Sequence, residues 1–240
     1  MIDFFSRIVL LNLVKETKKY NRFMSLVTDL DFSKHIERFD AVDGKNLDIR
    51  TIGDNFLSSS ARSDILSGKQ KRFGVSLTYG ALGCALSHYL ILKECSKANK
   101  PYLIFEDDIV LDPDFSNQLT ILIEHIKNIA LKFDVIYLGL HNIPSLNKKL
   151  SYDDMLYTPQ GLTCGTWAMI ISPEGASNIL KLVFPLDVQI DSEISRHKNK
   201  LKVFATKREL AKHDHYFGSS TQSRKGCETA TGALDGHNKF

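Results

Sequence analysis

The chain has 240 residues, 43% of them hydrophobic and 25% charged. That length suits one large α/β domain or two small ones, and it buries enough surface to need no staple. Its 31 basic and 28 acidic residues leave a net charge of +3, which gives no argument for a nucleic-acid partner, and none is expected.

The opening Met1-Ile2-Asp3-Phe4-Phe5-Ser6-Arg7 has an early acid and no long apolar stretch behind it. It is therefore not read as a secretory signal, and no run nears the roughly 18 apolar residues of a spanning helix. Residues 7–13 (RIVLLNL) predict a buried first strand, and the mixed segment 15–30 a helix. Phe39-Asp40-Ala41-Val42 reads as a second strand stopped by the turn pair Asp43-Gly44. Residues 45–75 are polar and Ser-rich, so irregular structure with a short helix is expected there.

A helix is predicted over 80–98, with Leu82, Leu86, Tyr89 and Lys93 sharing a face. Tyr102-Leu103-Ile104-Phe105 is apolar enough to be a strand buried on both faces, as in a parallel sheet. Asp112-Pro113 then suggests an N-cap followed by Pro at the first helical position. Phe115, Leu119, Leu122, Ile126 and Ile129 repeat at helical spacing. Further strands are expected at 134–138, 166–171 and 202–206, and Ser172-Pro173-Glu174 reads as another helix start. The alternation predicts a single three-layer α/β domain over residues 1–217 with a mostly parallel central sheet. Residues 218–240, rich in Ser, Thr and Gly, form a loosely ordered tail by expectation.

Charge and cysteine usage add two expectations. After residue 196 there are nine Lys/Arg and four Asp/Glu, so that end carries +5 and the preceding part −2. Such a basic end is either a solvated surface or a peripheral contact with an anionic membrane or acceptor. Cys84, Cys95, Cys164 and Cys227 form no C-x-x-C pair, which argues against zinc and for a reducing, cytoplasmic compartment.

Chemistry is concentrated in five places. Glu106-Asp107-Asp108 close the apolar strand, at the end where α/β sheets bind ligands. Three adjacent carboxylates repel one another and are costly to desolvate; a hard cation such as Mg²⁺ or Mn²⁺ would explain their company, and an exposed acidic turn is the alternative. Gly80 to His88 (GALGCALSH) puts glycines at a helix start, where free N–H groups favour anions. Within it, His88 is either a site residue or a satisfied core histidine. Asp187 and Asp191, four apart, share a face if their segment is helical. One of them could act as a general base, or both could be solvated acids near a helix start. His213-Asp214-His215 is a metal-binding triplet or a surface loop. Trp167, in Gly165-Thr166-Trp167, is a core aromatic or a sugar platform.

Together these segments resemble glycosyltransferase family 25, the lipooligosaccharide and collagen galactosyltransferase group. The resemblance is carried, in order, by IVLLNL at 8–13, FDAVDGK at 39–45, GALGCALSH at 80–88 and PYLIFEDDIVL at 101–111. FDVIYLG at 133–139, GTWAMIISPEGA at 165–176 and PLDVQID at 185–191 complete it. It implies a GT-A fold and inverting, metal-dependent transfer of galactose or glucose from a UDP-sugar to a saccharide acceptor. It makes Glu106-Asp107-Asp108 the counterpart of the D-x-D motif, with Asp108 the principal ligand of Mn²⁺ or Mg²⁺, Glu106 beside it and His215 or Asp214 completing the shell. It also implies Asp191 as base with Asp187 as second choice, Asn12 and Asp43 facing the nucleoside, and Gly80, Ser87 and His88 lining the donor pocket with Asp107. With no secretory signal read, a lipooligosaccharide acceptor is expected over collagen, at the cytoplasmic face of the membrane. Two competing classes use the same residues: a metal-dependent nucleotidyltransferase or phosphodiesterase, and a non-catalytic nucleotide-sugar-binding domain.

Overall fold

The computed structural model describes residues 1–68, 77–140, 151–160 and 163–214. Nine strands and six helices follow one another within them. These are β1 (Arg7–Asn12), α1 (Thr17–Val27), β2 (Ile36–Asp40), α2 (Ser59–Ser67), α3 (Tyr79–Cys95), β3 (Tyr102–Glu106), β4 (Ile109–Leu111) and α4 (Phe115–Asn128). After them come β5 (Val135–Tyr137), β6 (Leu156–Tyr157), β7 (Ala168–Ile171), α5 (Pro173–Val183), α6 (Ile190–Arg196), β8 (Val203–Thr206) and β9 (Ala211–His213).

Seven strands form one sheet in the order β2-β1-β3-β7-β5-β8-β6, and β4 pairs with β9 in a separate ribbon. β1, β2, β3, β5 and β8 point the same way, while β7 and β6 run against them. The sheet is therefore mostly parallel in direction, with one reversed strand inserted between β3 and β5. Strand residues alternate between two apolar layers, as a pleat requires. Val9, Leu11, Ile104, Tyr137, Met169 and Ile171 meet α2, α3, α5 and α6. Ile8, Leu10, Leu103, Phe105, Ile136 and Ile170 meet α1 and α4. Each such fully buried side chain contributes about 1.5–3 kcal/mol relative to exposure, so both faces hold the three layers together.

Several elements sit differently from their sequence expectations. β2 starts and ends earlier than 39–42, because Val42 N–H donates to Ser87 Oγ at 2.8 Å instead of continuing the ladder. α4 starts at Phe115, not Pro113: Asp112 accepts from Asp114 N–H at 2.8 Å and pairs with Arg208 at 2.7 Å, so it anchors the turn before the helix. α4 buries Phe115, Leu119, Leu122 and Ile126 as expected, but it ends at Asn128 and leaves Ile129 exposed. α3 buries Ala81, Leu82, Ala85, His88, Ile91, Leu92 and Cys95, while Lys93 lies on the surface with its ammonium over the Tyr89 ring. α3 packs against the sheet, α5 and the turn at Gly44–Asn46, so it has no single apolar stripe. A Cβ on Gly83 would lie 2.5 Å from Val42 O and from Gly44 N; glycine here permits the backbones to touch. Ser172 caps α5 as expected, accepting from Gly175 N–H at 2.9 Å.

Candidate functional site

β1 and β3 are parallel neighbours, so Asn12 and Glu106 end side by side at the carboxyl edge of the sheet. That edge is where a doubly wound sheet opens a crevice. Tyr102, Leu103, Ile104 and Phe105 are buried on both sides, as expected, and they lead straight to the acids.

The three acids have different surroundings. Glu106 Oε1 accepts from Thr166 Oγ1 at 2.6 Å and lies 3.5 Å from His88 Nε2. Burial, reinforced by the charges of Asp108, Asp107 and Asp191, pushes the Glu106 carboxyl up to about 8. Asp107 Oδ2 accepts from Asn12 Nδ2 at 2.5 Å, and Asp107 Oδ1 lies 3.6 Å from the Lys19 ammonium. Burial raises its pKa despite Lys19 and Asn12. Asp108 Oδ2 lies 3.4 Å from Lys19 Nζ and 3.5 Å from His213 Nε2. Burial would raise Asp108 too, but His213 and Lys19 outweigh it and hold it below the usual carboxylate range. His213 is raised in return, chiefly by its hydrogen bond to Asp108.

His213 reaches Asp108 through the β4–β9 ribbon. Ile109 is paired with His213, and Asp214 N–H donates to Asp108 O at 2.7 Å. Asp214 is also ion-paired to Arg22. The sequence reading selected His215 or Asp214 from this triplet. His215 lies outside the described residues, and within the triplet His213 meets Asp108.

Asp191 joins the same cluster from α6. Its Oδ2 accepts from Gly165 N–H at 3.0 Å and its Oδ1 from Ser192 N–H at 2.7 Å. Burial raises its pKa against those hydrogen bonds. Gly165 has φ of +112°, a conformation that side chains rarely adopt, and a Cβ there would strike the Trp167 ring. Two consecutive residues thus serve two acids: Gly165 donates to Asp191 and Thr166 to Glu106. Trp167 is 7% exposed and its indole N–H donates to Ala211 O at 3.4 Å, so it is a core residue here.

Asp187 does not share a helical face with Asp191, because α6 begins only at Ile190. Asp187 instead accepts from Ser58 Oγ at 3.0 Å and faces Arg196 at 3.7 Å. Glu193 is 4% exposed and accepts from Asp187 N–H and Val188 N–H, closing the turn before α6.

The remaining predicted residues hold the frame more than they face a ligand. Ser87 is fully buried; it donates to Gly83 O at 2.7 Å and accepts from Val42 N–H. His88 is 1% exposed, with Nδ1 3.0 Å from Cys84 O, and burial lowers its pKa, so it stands neutral behind Glu106. Gly80 lies in the first turn of α3, where Thr78 caps Ala81 N–H. Asp43 caps the Gly44–Asn46 turn and is ion-paired to Lys15. Asn12 is 1% exposed and anchors Asp107. An open depression of about 460 Å³ lined by Lys45, Asp48, Arg50 and Tyr79 contains none of these acids.

A hard divalent cation suits this donor set. Asp108 Oδ1 and Asn12 Oδ1 are buried with no hydrogen-bond partner among the described residues, and hard oxygens are what Mg²⁺ and Mn²⁺ take. Cys84, His88 and Glu106 also bring possible ligand atoms within 4.8 Å of one another. However, burial holds the Cys84 thiol well above its ordinary pKa, which disfavours the thiolate a soft metal needs.

Fold and edge together define an α/β protein with a buried cluster of acids at the carboxyl edge of its sheet. The family described as "Glycosyltransferase family 25 (LPS biosynthesis protein)" matches residues 5–194. The chain belongs to glycosyltransferase family 25. It is 29% identical over 205 residues to "Glycosyltransferase 25 family member" of Aedes aegypti, covering 81% of this chain and 32% of that protein. It is 26% identical over 234 residues to "Inactive glycosyltransferase 25 family member 3" of Mus musculus, covering 90% of this chain and 38% of that protein. The chain thus spans under two fifths of the length of these curated relatives. Its fold is also similar to a solved UDP-glucose pyrophosphorylase complexed with UDP-glucose. That match has a TM-score of 0.45 and 11% identity, covering 96% of this chain and 98% of that one; at that score it distinguishes neither activity nor ligand.

Proposed function

We propose that this chain is an inverting hexosyltransferase that moves galactose or glucose from a UDP-sugar to a saccharide acceptor such as lipooligosaccharide. The observation that carries the reading is the convergence of Asp191 with Glu106-Asp107-Asp108, fixed by Gly165 and Thr166. Asp108, with Glu106 beside it, would hold a divalent ion. When bound, such an ion offsets the charge that gathers on the departing diphosphate.

The chain's own residues account for the rest of the displacement. Asp191 removes the proton of the acceptor hydroxyl. The acceptor oxygen then bonds to the anomeric carbon from the face opposite the diphosphate. The anomeric C–O bond breaks, and its electron pair leaves with UDP through an oxocarbenium-like transition state. Ser192 engages Asp191 Oδ1 with both its N–H and its hydroxyl, whereas Oδ2 accepts from Gly165 N–H and keeps a lone pair for that proton, whose uptake the raised pKa favours. Asp187 is a weaker choice for the base, because Ser58 and Arg196 already engage it.

A second reading has a specific observation behind it. Mammalian relatives bear the word inactive in their names, which fits a domain that binds a nucleotide sugar without turning it over. Measuring UDP release from a panel of nucleotide sugars, with saccharide acceptors and with or without Mn²⁺, separates the two. Mn²⁺-dependent UDP release that D191N abolishes supports the transferase. Donor binding with no release would sink it, and pyrophosphate release would point to a nucleotidyltransferase.

A further inference from the structure

Lys19 is an uncommon lysine. It lies on α1 in line with Phe23 and Val27, and it is only 4% exposed. Lysine is almost never this buried unless its charge is paired. Phe23 packs on Phe105 of β3, with ring centroids 5.5 Å apart, so α1 is fixed over the strand that delivers the acids. The Lys19 ammonium then reaches both Asp107, at 3.6 Å, and Asp108, at 3.4 Å.

We propose that Lys19 is a resident counter-cation of the acid cluster, which weakens divalent-ion binding until a nucleoside diphosphate arrives. The inference rests on Asp108 as a metal ligand in the proposed function. Two adjacent carboxylates buried without a cation would repel each other and lose their hydration uncompensated. The Lys19 ammonium lies within 3.6 Å of both carboxylates as part of the chain itself, which lets the ligand-free site fold. The same charge repels a second cation entering the cluster, since like charges a few ångströms apart in a poorly solvated site interact strongly. A diphosphate reverses that balance, because its negative charge faces the ammonium and the ion together. Ion and nucleotide should therefore bind as a coupled pair, each raising the other's affinity by the same factor. His213 meets the same Asp108 oxygen as Lys19, Oδ2, which leaves Oδ1 to the ion.

The test needs no sugar donor. Mn²⁺ binding to the full chain is measured by titration calorimetry with and without UDP, for the wild type, K19M and K19R, and thermal midpoints are recorded for the ligand-free proteins. The wild type should bind Mn²⁺ at least tenfold more tightly with UDP than without. K19M should bind Mn²⁺ at least tenfold more tightly than the wild type when UDP is absent, so the gain from UDP shrinks. Ligand-free K19M should melt several degrees lower and recover with Mn²⁺, whereas K19R should follow the wild type. The double variant K19M/D107N, which removes one charge of each sign, should regain most of the lost midpoint. If K19M alone does not fold, the double variant decides: folding supports the counter-charge, and continued unfolding overturns it in favour of simple packing. Equal nucleotide-free Mn²⁺ affinity in wild type and K19M also overturns it. Failure of the transferase reading would show instead as absent UDP release, which none of these measurements uses.

Discussion

β1 and β3 carry charge at both ends, and the two ends handle it differently. At the amino end Arg7 meets Glu37 at 2.7 Å and also pairs with Glu94, with all three side chains at least 27% exposed. At the carboxyl end Asp107 and Asp108 share Lys19, and all three lie within 13% exposure or less. The first arrangement is a solvated ion-pair cluster of the kind that contributes little. The second buries more acid than base and leaves a carboxylate oxygen unpartnered, which costs stability unless a ligand takes it. Both ends set one cation against two carboxylates, but only the carboxyl end buries them, and the end that buries its excess acid at a cost is the candidate for function.

The comparison breaks most easily at Asp108. D108A should lower transfer by about a thousandfold or more, the scale of losing a group that stabilises leaving-group charge, while circular dichroism stays that of a folded protein. Transfer near the wild-type rate in D108A would remove the functional distinction between the two ends. Next in size, D191N should cost roughly 10²–10⁴-fold in kcat, the usual worth of a general base. D187N, whose carboxylate is occupied by Ser58 and Arg196, should stay within a few-fold; a larger loss from D187N than from D191N would reverse the assignment.

A third measurement concerns pH. The Glu106 carboxyl is raised from 4.5 to about 8, first by burial and then by its acidic neighbours. A carboxyl whose folded pKa exceeds its unfolded value binds its proton better in the folded state. Its contribution is therefore fully present below pH 4.5 and falls as pH climbs toward about 8. The ligand-free wild type should lose thermal stability across that window, and E106Q should lose less. Parallel curves for the two proteins would count against a buried, proton-holding Glu106. The smallest effect belongs to the amino end: E94Q should change stability by less than about 1 kcal/mol in chemical denaturation.

Much of this architecture was legible in the chain itself. The apolar run Tyr102–Phe105 abutting three acids announced both a buried strand and an acid cluster at its carboxyl end, because both signals are contiguous. Lys19 was missed although a signal existed. Its spacing to Phe23 and Val27 is i, i+4 and i+8, which sets a lysine on the buried stripe of α1. Placing His213 against Asp108 needed the pairing of β9 with β4, a contact about a hundred residues away that no local pattern encodes. The hydrogen bonds of Gly165 and Thr166 depended on a left-handed backbone and on the direction of β7, and strand–helix alternation favours the parallel reading for such a strand.

That reversal of β7 has a consequence for how the rim of the crevice is built. Strands that run with the majority reach the rim as they exit the sheet, and they contribute whatever follows their last residue. β7 reaches it on the way in, so the rim also receives a lead-in segment. Residues 165 and 166 therefore hold Asp191 and Glu106 from a segment that precedes its strand, whereas Asn12 and the acids after Glu106 stand where their strands finish.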